Sequence, residues 1–293
     1  MSRIVVLGDL NLDVYAHDPG GVTPGDEIRS SLRAVPGGSA GTFARVSAAE
    51  GATVTFIGCV GRDPIGDLLI RSLEEHGVRA AVGRCDLATG TILALERGGE
   101  RSMICSRGAN DGLTEAMVDE KAFDDVDHLH VSGYAFLSQR QRPAARRAIL
   151  LALDRHATVS VDPPPAGLIE RHGIADFSGD LEGVSWLFPN LSEGRVLTGL
   201  EAREAIVDAL SERFVAGALT LGASGSVAWA GTERDVSVPA AVGSGNPTGA
   251  GDTFAAGFVV ARLGGGTLAE ANRRGCELAS EHVRRSGDSS TPS

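Results

Sequence analysis

Apolar runs and helical patterns alternate along most of this 293-residue chain, and that alternation constrains its fold more than any other feature. Candidate strands are Ile4–Leu7, Thr53–Ile57, Leu129–Val131, Thr158–Val161, Trp186–Pro189, Ala218–Thr220 and Val227–Ala230. Candidate helices are Gly41–Glu50, Gly66–His76, Arg142–His156, Ala202–Arg213, Asp252–Leu263 and Leu268–Arg284. This order predicts an α/β fold in which a mostly parallel sheet is covered by helices on both faces. Several helices stop at glycine, at Gly51, Gly77 and Gly264, the residue preferred just past a helix end. Two segments, 12–33 and 91–107, break the alternation with mixed polar and β-prone residues, and Gly98-Gly99 suits a hairpin turn.

At 42% hydrophobic residues the chain has core material for one large domain with an appendage. A net charge of -11 argues against a general affinity for nucleic acid and favours small-molecule partners. The four cysteines are scattered, with no Cys-x-x-Cys pair or zinc spacing, which reads as reduced thiols in a cytoplasmic protein. Neither a signal-peptide core nor a membrane-spanning apolar stretch is expected, and the polar residues 286–293 read as a frayed tail. Lys121 is the only lysine, so a P-loop, which needs Gly-Lys-Ser/Thr, is excluded. Phosphate charge must then meet backbone amides, arginine or a metal.

Chemistry concentrates in Asn246-Pro-Thr-Gly-Ala-Gly-Asp-Thr-Phe-Ala-Ala-Gly-Phe258, a glycine turn directly ahead of a helix. Gly249 and Gly251 permit backbone conformations that let successive N–H groups converge on one anion. The helix dipole adds about half a positive charge at the same point. A transferring phosphoryl group would be stabilised there by the amides of Gly249, Ala250 and Gly251, while Asp252 takes a proton from an attacking hydroxyl. The plainer reading is a loop capped by Asp.

Further motifs stand in order along the chain. They are Gly8-Asp-Leu-Asn-Leu-Asp13, Pro36-Gly-Gly-Ser-Ala-Gly-Thr-Phe-Ala44, Phe56-Ile-Gly-Cys-Val-Gly-Arg-Asp-Pro-Ile-Gly66, Gly108-Ala-Asn110, Asn190-Leu-Ser-Glu193 and Thr220-Leu-Gly-Ala-Ser-Gly225. With Thr-Gly-Ala-Gly-Asp252, this set resembles the ribokinase-like (PfkB) family of carbohydrate and nucleoside kinases from about Ile4 to Arg285. The resemblance implies a single three-layer α/β/α domain over 1–293, with a small β-sheet lid from segments 12–33 and 91–107 that excludes water and forms a homodimer interface. It also implies ATP and Mg²⁺ as cofactors, and a sugar, sugar acid or polyol as phosphoryl acceptor. A nucleoside acceptor and a non-catalytic sugar- or nucleotide-binding role remain alternatives.

Site residues follow from the same match. Asn11, Asp13, Gly37, Gly38, Thr42 and Arg107 would face the acceptor; Asn190, Thr220, Gly222, Gly225 and Thr248 the nucleotide; Asn190 and Glu193 would organise Mg²⁺ through water. Each has a plainer reading. Asp13 suits an Asx-turn, Gly37 and Gly38 a simple turn, Asn190 and Glu193 a capping box, residues 220–225 a strand-to-strand turn, and Arg107 a solvated charge. His128 and His130 share one strand face and read as a packed or surface pair in preference to a metal pair. Two residues depart from the family pattern. Asn246 stands where the family usually has Asp, and in potassium-activated relatives that Asp belongs to the monovalent-cation neighbourhood, so potassium activation is in doubt. Thr42 stands where a sugar-binding Asn is common.

Overall fold

A computed structural model describes residues 1–17, 25, 27, 29–97, 100–239 and 245–288. The expected turn at Gly98-Gly99, part of the 12–33 segment and residues 289–293 of the expected tail lie outside these. In chain order the elements are β1 (Arg3–Leu7), β2 (Asn11–His17), β3 (Ser31–Gly37), α1 (Ser39–Ala49), β4 (Thr53–Gly61), α2 (Pro64–Glu75), β5 (Arg79–Cys85), β6 (Thr91–Arg97) and β7 (Glu100–Ser106). Three 3₁₀ turns lead to β8 (His128–Ser132), α3 (Tyr134–Leu137), α4 (Arg142–Asp154), β9 (Thr158–Asp162), α5 (Ala166–His172), α6 (Ile174–Asp180), β10 (Trp186–Leu187), α7 (Leu191–Thr198) and α8 (Arg203–Arg213). β11 (Ala216–Thr220), β12 (Ser226–Ala230), β13 (Glu233–Ser237), α9 (Ala250–Leu263) and α10 (Leu268–Asp288) complete the chain.

Nine strands form one sheet in the order β13-β12-β11-β10-β9-β8-β1-β4-β5, parallel from β11 through β5 and antiparallel at β12 and β13. Alternate residues of β1 serve opposite faces, which is what a strand buried on both sides requires. Ile4 and Val6 join the core that includes Phe43 of α1, Leu69 of α2, Phe258 of α9 and Ala271 of α10. Val5 and Leu7 join the core formed with Ile149 of α4, Ile169 of α5, Phe177 of α6 and Leu210 of α8. The second sheet has the order β3-β2-β6-β7, with β2 and β6 parallel and the two outer pairs antiparallel.

The two strands of the large sheet that the sequence pattern misses, β5 and β13, are its two edges. Their sequences, Arg79-Ala-Ala-Val-Gly-Arg-Cys85 and Glu233-Arg-Asp-Val-Ser237, carry the charges that edges use against edge-to-edge pairing, and this dilutes the apolar signal. Residues 286–288, expected to be frayed, are the last residues of α10, and the Ser286 hydroxyl donates to the Asn246 carbonyl at 2.9 Å. His128 and His130 are fully buried on β8, both bonded to the Ser160 hydroxyl on β9, at 2.7 and 2.8 Å. His130 stacks on Phe43 with ring centroids 3.6 Å apart. Burial pushes both imidazoles below their ordinary value, His128 to about 3.

Candidate active site

The strand order reverses at β1, with β4 on one side and β8 on the other. In open α/β sheets, ligands bind outside the carboxyl ends of strands at such a reversal. Polar side chains converge there. Asp9 follows β1, Ser132 ends β8, Asp162 ends β9, and the N-termini of α1 and α9 bring Ser39 and Asp252. Asp9 accepts from the Ser132 hydroxyl at 2.9 Å, the Ser39 amide at 3.1 Å and the Asn11 side-chain amide at 3.2 Å. The Ser39 hydroxyl donates to Asp252 Oδ1 at 2.6 Å.

Helix α9 starts at Ala250, two residues earlier than its sequence pattern suggests, so Asp252 lies inside the first turn and not at the junction. Gly249 is the N-cap, at φ 83°, a left-handed conformation that glycine adopts without strain. Gly251, expected to share that role, is helical; a Cβ there would lie 3.7 Å from Asp162 Oδ2, an ordinary contact. The amide of Ala250 donates to the Pro247 carbonyl at 3.1 Å and that of Thr253 to the Gly249 carbonyl at 2.9 Å. Ala250 therefore drops out of the expected cradle. No hydrogen bond among the described residues takes the amides of Gly249, Gly251 and Asp252, and these remain to meet an anion at the helix N-terminus.

Asp252 is not a lone carboxylate. Asp162 bonds to it directly, and burial followed by the charges of Asp252 and Glu193 pushes Asp162 well above the carboxylate range. Burial also raises Asp252, but hydrogen bonds from Ser39 and Asp162 oppose that rise. Both carboxyls of the pair are raised, Asp162 the more strongly, and the hydrogen bonds favour the ionised form of Asp252. A guanidinium faces the same space. Arg45 of α1 lies within the field of Asp13 and Asp252, and burial lowers it to about 10; it donates to the Pro36 carbonyl at 3.1 Å and the Thr42 hydroxyl at 3.4 Å.

On the expected acceptor side, Asn11 is 5% exposed and its side chain is engaged at both ends, donating to Asp9 and accepting from Asn110 at 2.7 Å. Asp13 lies within β2, not at the end of a large-sheet strand, and its carboxylate fills the space a Gly37 side chain would need. Gly38 has φ 88°, and a Cβ there would sit 2.5 Å from the Asp9 carbonyl. Arg107 is partly buried and held by the protein: it donates to Asp111 at 2.9 Å and Gln141 at 2.8 Å, above the Tyr134 ring.

On the expected nucleotide side, Asn190 and Glu193 form a complete capping box on α7. The Glu193 amide donates to Asn190 Oδ1 at 3.0 Å, and Glu193 accepts from the Asn190 backbone at 2.8 Å and side-chain amide at 2.6 Å. Burial pushes Glu193 up to about 8, against the lowering effect of these bonds. Thr220 ends β11 beside Asn190. Gly222, at φ 59°, opens onto free space, whereas Gly225 is required by packing, since a Cβ there would strike the Ser237 carbonyl. The Thr248 hydroxyl is turned to Asn246 Oδ1 at 2.7 Å.

The sequence pattern of the pfkB family carbohydrate kinases matches residues 1–293. The chain belongs to this family. Ribokinase of Haemophilus influenzae is 26% identical over 304 residues, spanning 99% of this chain and 95% of its own. The ATP-dependent ribose-1-phosphate kinase of Halopiger xanaduensis is 30% identical over 276 residues, spanning 92% and 88%. A putative Ribokinase II from E. coli, solved in complex with ATP and Mg²⁺, shares the fold at TM-score 0.84 and 22% identity, over 97% of this chain and 92% of its own.

This pfkB-family chain is thus an ATP-dependent carbohydrate kinase of ribokinase-like fold. Several residues of its crevice escape sequence reasoning. Asp9 and Ser39 stand inside quoted motifs without a role assigned to them, and Ser132, Asp162 and Arg45 lie outside those motifs. Asp162 had one signal, its place after the apolar run Thr158–Val161, where a strand's carboxyl end meets the ligand side of the sheet.

Proposed function

We propose that this kinase moves the γ-phosphoryl group of ATP to a primary hydroxyl of a sugar, sugar acid or related polyol, with Asp252 as general base. The observation that carries the reading is Asp252 in the first turn of α9, where bonds from Ser39 and Asp162 favour its carboxylate against burial, beside the open amides of Gly249 and Gly251. A base at that position removes the hydroxyl proton as the nucleophile attacks, and the amides meet the charge of the transferring group.

The residues present suit a hard dication. The carboxyls of Asp9, Asp162, Glu193 and Asp252 lie close enough to raise Asp162, so a dication would favour their ionised forms, and no three acidic, His or Cys side chains among the described residues converge to bind an ion directly. Asn190, Glu193 and Asp162 would therefore hold Mg²⁺ through water and phosphate oxygens. When bound, Mg²⁺ neutralises phosphate charge. Thr220, Gly222 and Thr248 line the nucleotide side, while Asp13, Gly37, Gly38 and Thr42 shape the acceptor side.

A sugar is favoured over a nucleoside by the aromatics. A base needs a free stacking face, and both candidates are packed away: Tyr15 is 5% exposed beneath Arg33, and Phe43 stacks on His130. Residues of the second sheet leave Leu32, Met103 and Ile104 exposed, which supports a homodimer through that sheet. Light scattering that gives a monomer mass at working concentration would remove the dimer. The reaction is tested by coupled ADP release with ATP and Mg²⁺ against pentoses, hexoses, ketodeoxy acids and nucleosides.

A further inference from the structure

The turn leading into α9 opens with Asn246, a neutral side chain. A monovalent cation there would need oxygen atoms whose lone pairs are unclaimed by donors. The turn's carbonyl and side-chain amide oxygens each already accept from a protein donor. Asn246 Oδ1 accepts from the Thr248 amide at 2.9 Å and hydroxyl at 2.7 Å, and the Asn246 carbonyl, at 2.9 Å, shares the single Ser286 hydroxyl proton with the Val283 carbonyl at 2.7 Å. The Thr248 carbonyl accepts from His282 Nε2 at 2.6 Å. A carbonyl can only accept, so Nε2 carries the proton in this contact. The His282 ring also closes on the next residue, 3.2 Å from where a Cβ on Gly249 would stand.

His282 and Ser286 are four apart on α10 and therefore share one face of it. Together they grip the turn at two points, Asn246 and Thr248, on either side of Pro247. A potassium ion fits these residues poorly: the Asn246 side chain is neutral, and each carbonyl of the turn is already turned to a protein donor.

We infer that His282 and Ser286 hold the Asn246–Gly249 turn, and with it the amide-lined start of α9, so that phosphoryl transfer by this chain needs no monovalent cation. The inference rests on the kinase reading above. His282 is a positioning residue: it acts through the Thr248 carbonyl on the left-handed Gly249, whose amide faces the anion.

The test measures ADP release on the best acceptor of the panel, and melting temperature, in potassium chloride and in tetramethylammonium chloride at equal ionic strength. The kcat values in the two salts should agree within about twofold. The melting temperatures should coincide, because an ion bound only by the folded state would raise the one in potassium. His282→Ala should lower kcat about tenfold with little change in acceptor KM, and His282→Gln, which restores an N–H of similar reach, should recover most of it. His282→Met is a second variant without a donor, should the alanine variant fail to fold. A potassium-specific rise in kcat or melting temperature overturns the inference and leaves the kinase reading intact. Equal kcat in wild type, His282→Ala and His282→Met removes the positioning role. If no acceptor supports ADP release, the kinase reading fails separately, and the melting temperatures still decide whether the turn binds potassium.

Discussion

The Ser39 hydroxyl donates to Asp252 Oδ1 at 2.6 Å, tying the first residue of α1 to the first turn of α9 across 213 positions of sequence. Two helix N-termini thereby meet, and under the proposed reaction their dipoles would favour the charge of the transferring group. Replacing Ser39 by Ala removes a hydrogen bond that favours the Asp252 carboxylate. Such bonds to charged groups contribute roughly 1.5–3 kcal/mol, so kcat should fall about tenfold or more. Without that bond Asp252 holds its proton to higher pH, and the acidic limb of kcat/KM should move upward; a pH–rate profile that stays in place would contradict the assignment.

Gly38→Ala should be severe. Its φ of 88° strains any side chain, and the added Cβ would meet the Asp9 carbonyl at 2.5 Å. Asp9 anchors Ser39, Ser132 and Asn11, so displacement of its backbone disturbs the crevice as well as the fold. We expect a loss of about 2–4 kcal/mol, read as a lower urea midpoint, together with activity reduced beyond that of Ser39→Ala.

Glu193 gives a stability signature with a defined sign. Burial raises it from its ordinary 4.5 to about 8 in the folded chain. The unfolded chain therefore releases this proton first, and the contribution to stability, complete below about pH 4.5, is lost as pH rises through about 8. Glu193→Gln keeps an acceptor for the Asn190 amide and cannot ionise. The nucleotide-free variant should melt a few degrees above wild type at about pH 8, with the difference shrinking toward about pH 5. Equal melting temperatures across this range would show that Glu193 ionises at its ordinary value.

Most of the large sheet and its covering helices were legible because central parallel strands are continuous apolar runs and their helices carry a 3.6-residue period. The edges β5 and β13 were not, since a strand that faces solvent along one side spends its residues on charge. The short helices α5 and α6 were missed for a related reason: Ala166–His172 and Ile174–Asp180 span about two turns, too few to display a period. At the candidate site, Asp252 and Gly249 stood out because their turn belongs to an ordered set of motifs, a glycine turn ahead of a helix being common by itself. Asp162 and Ser39 were not, because their importance comes from meeting Asp252 across the fold. The capping-box reading of Asn190 and Glu193 is realised in full, and it coexists with any part the two take in metal binding.

The central claim is that Asp252 removes the proton from the acceptor hydroxyl. Its most direct test is single-turnover phosphoryl transfer to the best acceptor by wild type and Asp252→Asn, with ATP affinity measured alongside. Asn preserves the size of the side chain and an oxygen for the Ser39 bond but cannot take the proton. The account predicts a rate lower by roughly 10²–10⁴-fold with ATP affinity little changed. Transfer by the variant at near the wild-type rate would contradict it.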